Sequence, residues 1–180
     1  MPLAIFKRMD LAKKPPSSYF CSQKTQTMQK LISPFLFLLT IGLLFSCKKE
    51  VSYEEQLAQD VKKIQTYLAE NNLAAQSTAS GLHYLIEVEG NGEHPTLNDE
   101  VVVHYKGYYL DGTVFDQTDT NPISFPLSAV IVGWQEGIPL FSKGGKGKLF
   151  LPSGLAYGKN PPSGVPANAV MIFDVELVDF

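Results

Sequence analysis

The stretch VVVHYKGYYLDGTVFD, residues 101–116, decides how this chain is read. Strand alternation puts Val101, Val103 and Tyr105 on one face and Val102, His104 and Lys106 on the other. Asp111-Gly112 reads as a tight hairpin turn, because Asp and Gly tolerate the positive φ that such turns require. The chain then returns through Val114, Phe115 and Asp116. If Tyr105 and Phe115 wall one hollow, the carboxylate of Asp116 sits at its rim. Taken alone, Asp116 has a commoner reading as a solvated surface acid.

Outward from that hairpin, the helical and extended patterns separate cleanly. In YEEQLAQDVKKIQTYLAENNL, Leu57, Val61, Ile64 and Leu68 recur at helical spacing. Ser52 is a candidate N-cap, Glu54 and Glu55 suit the first turn, and Asn71-Asn72 suit the stop. This helix either packs on the following domain or pairs with a second copy of itself, and its short stripe favours packing. AAQSTAS reads as linker. Strands are expected at LHYLIEVE, EVVVHYKGYYL, TVFDQT, KLFLP and AVMIFDVELVDF, with one short helix near GWQEGIPLF. No repeat period suggests a solenoid.

The first residues carry a different message. Residues 31–46, LISPFLFLLTIGLLFS, are apolar, follow Lys30, and stop at Cys47 before polar KKE. That is the layout of a secretory signal, with an apolar core too short for a comfortable membrane span. Leu44-Phe45-Ser46-Cys47 resembles a bacterial lipobox, which implies acylation of Cys47 after cleavage; the alternative is an uncut signal anchor. Met28 opens a compact leader, so translation is expected to start there. The expected organisation is a leader at 1–46, a tether at 47–52, an amphipathic helix at 53–72, a linker at 73–80 and one domain at 81–180.

Charge and cysteine content narrow the function. Beyond Cys47 the chain has nine Lys, no Arg and seventeen acids, a net charge of −8 against −3 for the whole sequence. A nucleic-acid partner, which demands a basic face, is therefore not expected. Cys21 precedes the cut and Cys47 lies at it, so no disulfide is expected to hold the domain.

Other chemistries find little support. His83, His94 and His104 lack metal-ligand spacing, so neither metal nor cofactor is expected. KGGKGK at 143–148 has no Gly-Lys-Ser/Thr ending and leads into a strand, which makes it a basic turn rather than a phosphate loop. Ser153 in PSGL lacks a nucleophile-elbow context.

VHYKGYYLDGTVFD, AVIVGWQEGIPL, LPSGLAYG and VPANAVMIFDVELV, in this order and spacing, resemble the FKBP family of macrolide-binding peptidyl-prolyl isomerases. The likeness runs from about Gly81 to Phe180. It implies an α+β fold, a twisted antiparallel sheet wrapped on a short helix, with a pocket between them. Here that domain would be preceded by the amphipathic helix and the signal and lipoprotein leader. The resemblance implies that Trp134 floors the pocket and that Tyr105, Phe125, Val130, Ile131 and Phe173 line it. Phe115 and Asp116 match the Phe-Asp pair at its side. Ile131 N–H and the Tyr157 hydroxyl would meet ligand carbonyls, and Val165 would overhang from the loop GKNPPSGVPAN. Ala167 and Pro161-Pro162 depart from the family pattern in that loop, as does Val132 beside the pocket.

The expected activity is isomerisation of X-Pro bonds in proline-containing polypeptides of the cell envelope, with possible macrolide inhibition. The chain would be anchored through Cys47 to a membrane of a Gram-negative-type bacterium, facing periplasm or cell surface. It would act as a monomer or as a weak dimer through residues 53–70. Two other classes compete: a chaperone-like module that binds extended chains without isomerising them, and a surface scaffold.

Overall fold

The computed structural model describes residues 50–180. The leader at 1–46, the start at Met28 and the acylation of Cys47 lie outside the described residues.

The first element is a helix because its start is capped and one face is apolar. The Ser52 side chain accepts from the Glu55 N–H at 3.1 Å, and α1 spans Tyr53–Glu70. It ends two residues before the expected limit, with Asn71 closing the last turn through its N–H to the Tyr67 carbonyl. Ile64 and Leu68 are buried against Phe150, Val170 and Ile172. The second half of the stripe offered for pairing is thus occupied by the chain's own sheet.

Seven strands follow among the described residues: β1 Gln76–Ser77, β2 His83–Val88, β3 Glu100–Tyr109, β4 Val114–Gln117, β5 Ile123–Pro126, β6 Lys146–Leu151 and β7 Met171–Asp179. Helix α2, Val132–Gly137, lies between β5 and β6. All pairings are antiparallel, in the order β1-β2-β6-β7-β3-β4, with β5 also on β3. Two strands were not expected. β1 sits inside the segment read as linker, and β5 sits inside NPISFPLS, where flanking prolines obscure the alternation.

The period-2 pattern sorts the sheet's two faces. Val101, Val103 and Tyr105 are buried on the inner face, while Lys106 is exposed. The inner face meets α2, whose approach depends on glycines four residues apart. A Cβ at Gly133 would overlap the Leu151 side chain, and one at Gly137 would come within 2.7 Å of Leu149 Cδ1. Larger residues there would push the helix away from β6. The outer face is divided between the α1 contact and a charged ladder. In that ladder Lys148 Nζ meets Asp174 at 2.6 Å and Lys146 Nζ meets Glu176 at 2.9 Å.

A buried acid ties α1 to the domain. Asp60 is 0% exposed, and its Oδ2 accepts from the Ser153 N–H at 3.0 Å and the Ser153 hydroxyl at 2.6 Å. Its Oδ1 accepts from Gln56 Nε2 and Lys63 Nζ. A buried carboxylate with this many donors stays compatible with folding, where an unpartnered one would not. Ser153, set aside above as a nucleophile, is therefore a structural donor.

Candidate active site

The site begins with a break in the edge of the sheet. β5 pairs with Glu100–Val103 and β4 with Lys106–Tyr108, so β3 changes partners at His104 and Tyr105. Thr118 spans the gap. Its N–H donates to the Tyr105 carbonyl at 2.9 Å, and its Oγ1 accepts from the Tyr105 N–H at 3.1 Å. Both peptide groups of Tyr105 are held, which fixes where its ring projects.

The hairpin supplies the next two residues. Only Gly112 takes the left-handed conformation there, at φ +83; Asp111 instead accepts from the Thr113 N–H at 2.9 Å. A register shift then puts Gly107 opposite Asp116 and Tyr108 opposite Val114, leaving Phe115 as the extra residue. In a regular strand Phe115 and Asp116 would point to opposite faces. The bulge re-aims them, so that both reach inward. Phe115 packs edge-on to Phe173 at 5.6 Å, and Asp116 Oδ2 accepts from the Tyr105 hydroxyl at 2.7 Å. Gly107 makes room for this arrangement. A Cβ there would lie 2.6 Å from Phe115 Cζ and 2.9 Å from Phe173 Cε1.

Trp134, on α2 and 0% exposed, is the centre of the aromatic group. Tyr105 and Phe173 meet it edge-on at 5.3 and 5.2 Å, and Phe125 lies tilted at 5.6 Å. These are the separations at which edge-to-face rings attract beyond simple burial. Val130 and Ile131 lead into α2 and are buried, with Gln135 Nε2 donating to the Val130 carbonyl at 2.8 Å. Tyr157 belongs to the same core, and Val165 packs against it from the loop. The structure therefore gathers Tyr105, Phe115, Phe125, Val130, Ile131, Trp134, Tyr157, Val165 and Phe173 in one hydrophobic cluster, with Asp116 bonded to its edge.

The cluster holds more buried hydroxyl and indole donors than partners for them. Burial and the bond to Asp116 raise the Tyr105 hydroxyl well above its ordinary value. Burial, the Asp116 charge and the neighbouring Tyr109 push the Tyr157 hydroxyl up to about 12. Both remain protonated donors at neutral pH. Trp134 Nε1, Tyr157 Oη and Tyr109 Oη are buried without a hydrogen-bond partner among the described residues. Tyr109 was not singled out above, although the alternation Tyr105, Gly107, Tyr109 was a signal that it faces inward. Among the described residues no group of three or more His, Cys, Asp or Glu is arranged to hold a metal.

A sheet wrapped on one short helix, with an aromatic cluster between them, is the architecture the sequence likeness implied. Residues 91–178 match the family model described as FKBP-type peptidyl-prolyl cis-trans isomerase. The chain belongs to this family. It is 46% identical over 129 residues to FkpA, an FKBP-type peptidyl-prolyl cis-trans isomerase of Aeromonas hydrophila, covering 69% of this chain and 48% of the relative. The crystal structure of FkpA from Escherichia coli superimposes with a TM-score of 0.61 at 42% identity, covering 70% of this chain and 61% of that one. A peptidyl-prolyl cis-trans isomerase from Pseudomonas syringae pv. tomato gives 0.59 at 30% identity, covering 68% and 93%. The chain spans about half the length of the curated relatives it matches.

Proposed function

We propose that this chain catalyses cis–trans isomerisation of X-Pro peptide bonds in extended or unfolded polypeptides. The observation that carries this reading is the pairing of a buried aromatic cluster with buried donors that lack acceptors. An X-Pro segment is the complement of such a cavity. Its tertiary amide has no N–H, so it brings an apolar ring and carbonyl acceptors but no donor at the reacting bond.

The chemistry needs no nucleophile. Rotation about a peptide bond costs about 18–20 kcal/mol because twisting destroys amide resonance. Proline brings the two isomers close in energy but leaves exchange at tens of seconds or slower. A twisted amide separates less charge than a planar one, so an apolar pocket stabilises it relative to the ground state. That difference is the catalysis. Trp134, Phe125, Phe173 and Val130 seat the proline ring, Tyr157 and the Ile131 N–H hold flanking carbonyls, and Val165 covers the ring from the loop. Asp116 orients the Tyr105 hydroxyl and sets the local field. A macrolide with acceptor oxygens beside an apolar ring fits the same description and competes for the pocket.

The leader supports an envelope location, with Cys47 acylated and the domain held at a membrane surface. Clients are then envelope proteins that have just been exported. The experiment for the activity is isomerisation of a short X-Pro peptide by the full chain, with a macrolide as competitor. Binding without acceleration favours the chaperone-like alternative. For the anchor, metabolic labelling with a fatty acid should mark the wild type and leave Cys47→Ala unlabelled.

A further inference from the structure

The aromatic group does not stop at Phe115. Tyr109 closes β3, and its ring lies 4.8 Å from Phe115, which meets Phe173, which in turn meets Trp134. Its backbone is pinned by the hairpin. The Tyr109 N–H donates to the Thr113 carbonyl at 3.0 Å, and its carbonyl accepts from the Gly112 N–H at 2.9 Å. A ring so fixed has little freedom to swing its hydroxyl elsewhere. Yet Tyr109 Oη is buried with no partner among the described residues.

An unpartnered buried hydroxyl is unfavourable, and a Phe at this position would make the same ring contacts without it. The hydroxyl therefore has its role when something is bound. Tyr157 belongs to the hydrophobic cluster against which Tyr109 packs, and Tyr109 adds to the upward push on the Tyr157 hydroxyl. Neither is bonded to the other. Two donors facing a peptide ligand call for two acceptors, and a proline-containing backbone supplies carbonyls on each side of the ring.

We propose that Tyr109 is a specificity-determining residue that donates to a substrate backbone carbonyl distinct from the one held by Tyr157. This rests on the isomerase reading above. It implies a preference for peptides that extend beyond the X-Pro pair, because the two carbonyls of that pair are held by Tyr157 and the Ile131 N–H and a third must come from a neighbouring residue.

The test uses the full chain and Tyr109→Phe, with a blocked tetrapeptide containing one X-Pro bond. Trp134 is the single Trp of the sequence, so its emission reports peptide binding. The expected result is a loss of about three- to tenfold in kcat/KM, carried by KM, with the thermal midpoint unchanged or raised. The loss should multiply with that of Tyr157→Phe in the double variant. Unchanged kcat/KM and peptide affinity in Tyr109→Phe would overturn the proposal. So would a lowered thermal midpoint, which would reveal a structural partner for the hydroxyl. A folded wild type that neither binds nor isomerises the peptide would instead remove the isomerase reading on which the proposal rests.

Discussion

The Tyr105 hydroxyl donates to Asp116 at 2.7 Å, joining β3 to a bulged β4 at the place where the sheet's edge changes partners. The bond occupies the Asp116 carboxylate, so in the proposed mechanism Asp116 acts through Tyr105 and through its charge. Asp116→Val leaves the Tyr105 hydroxyl without its acceptor, a loss of about 1–3 kcal/mol. Turnover should fall while the protein stays folded. Adding Tyr105→Phe should recover part of the stability and none of the turnover. Denaturant unfolding and peptide isomerisation on the wild type and the two variants check this; unchanged turnover in Asp116→Val discards the electrostatic role.

Trp134 is fully buried in the aromatic cluster, and in the proposed site it is also the pocket floor. Trp134→Ala is expected to lower stability by about 3–5 kcal/mol, because a large buried ring leaves a cavity that the sheet cannot fill. Thermal unfolding reads the effect. A loss below about 1 kcal/mol would mean that the pocket collapses easily around the missing indole.

Asp60 should matter to α1 more than to the sheet. Asp60→Ala leaves the Ser153 N–H and hydroxyl without their acceptor, with an expected loss of about 2 kcal/mol or more. Hydrogen exchange should show the α1 amides opening before those of β3 and β7. Equal protection of helix and sheet in the variant would show that the apolar contact of Ile64 and Leu68 suffices alone.

High pH should loosen the fold through Tyr157. Its hydroxyl, ordinarily at 10.0, is pushed up to about 12 in the folded chain. The folded state therefore keeps a proton that the unfolded chain has lost. The associated stability is fully present below about pH 10 and disappears as pH rises toward about 12. Denaturant midpoints across that window should fall more steeply for the wild type than for Tyr157→Phe. A parallel decline in both would assign the effect to other tyrosines.

Much of this was legible because it depends on local rules. Ser52 with its Glu-rich first turn announced α1, and the alternation around Val103 announced β3 and its buried face. The segments that resembled a known family then brought distant residues such as Asp116, Trp134 and Phe173 into one site. The parts that were not legible depend on register and on long-range partners. No local pattern says that β4 carries a bulge at Phe115, or that Thr118 fills the break beside Tyr105. Asp60 was not singled out, because its partner Ser153 is 93 residues away. A weak signal was present, since position 60 lies on the helix face shared by Leu57 and Ile64. Tyr109 was readable as inward-facing, but its unpartnered hydroxyl follows from the fold around it.

The central claim is that the cluster around Trp134 is a catalytic pocket. The most direct measurement is the rate of cis–trans exchange of a short X-Pro peptide with the full chain, with Trp134 emission recorded on the same samples. Acceleration that a macrolide suppresses, together with a shift in emission on peptide binding, is the predicted result. A shift in emission without acceleration, from a chain shown to be folded, would contradict it.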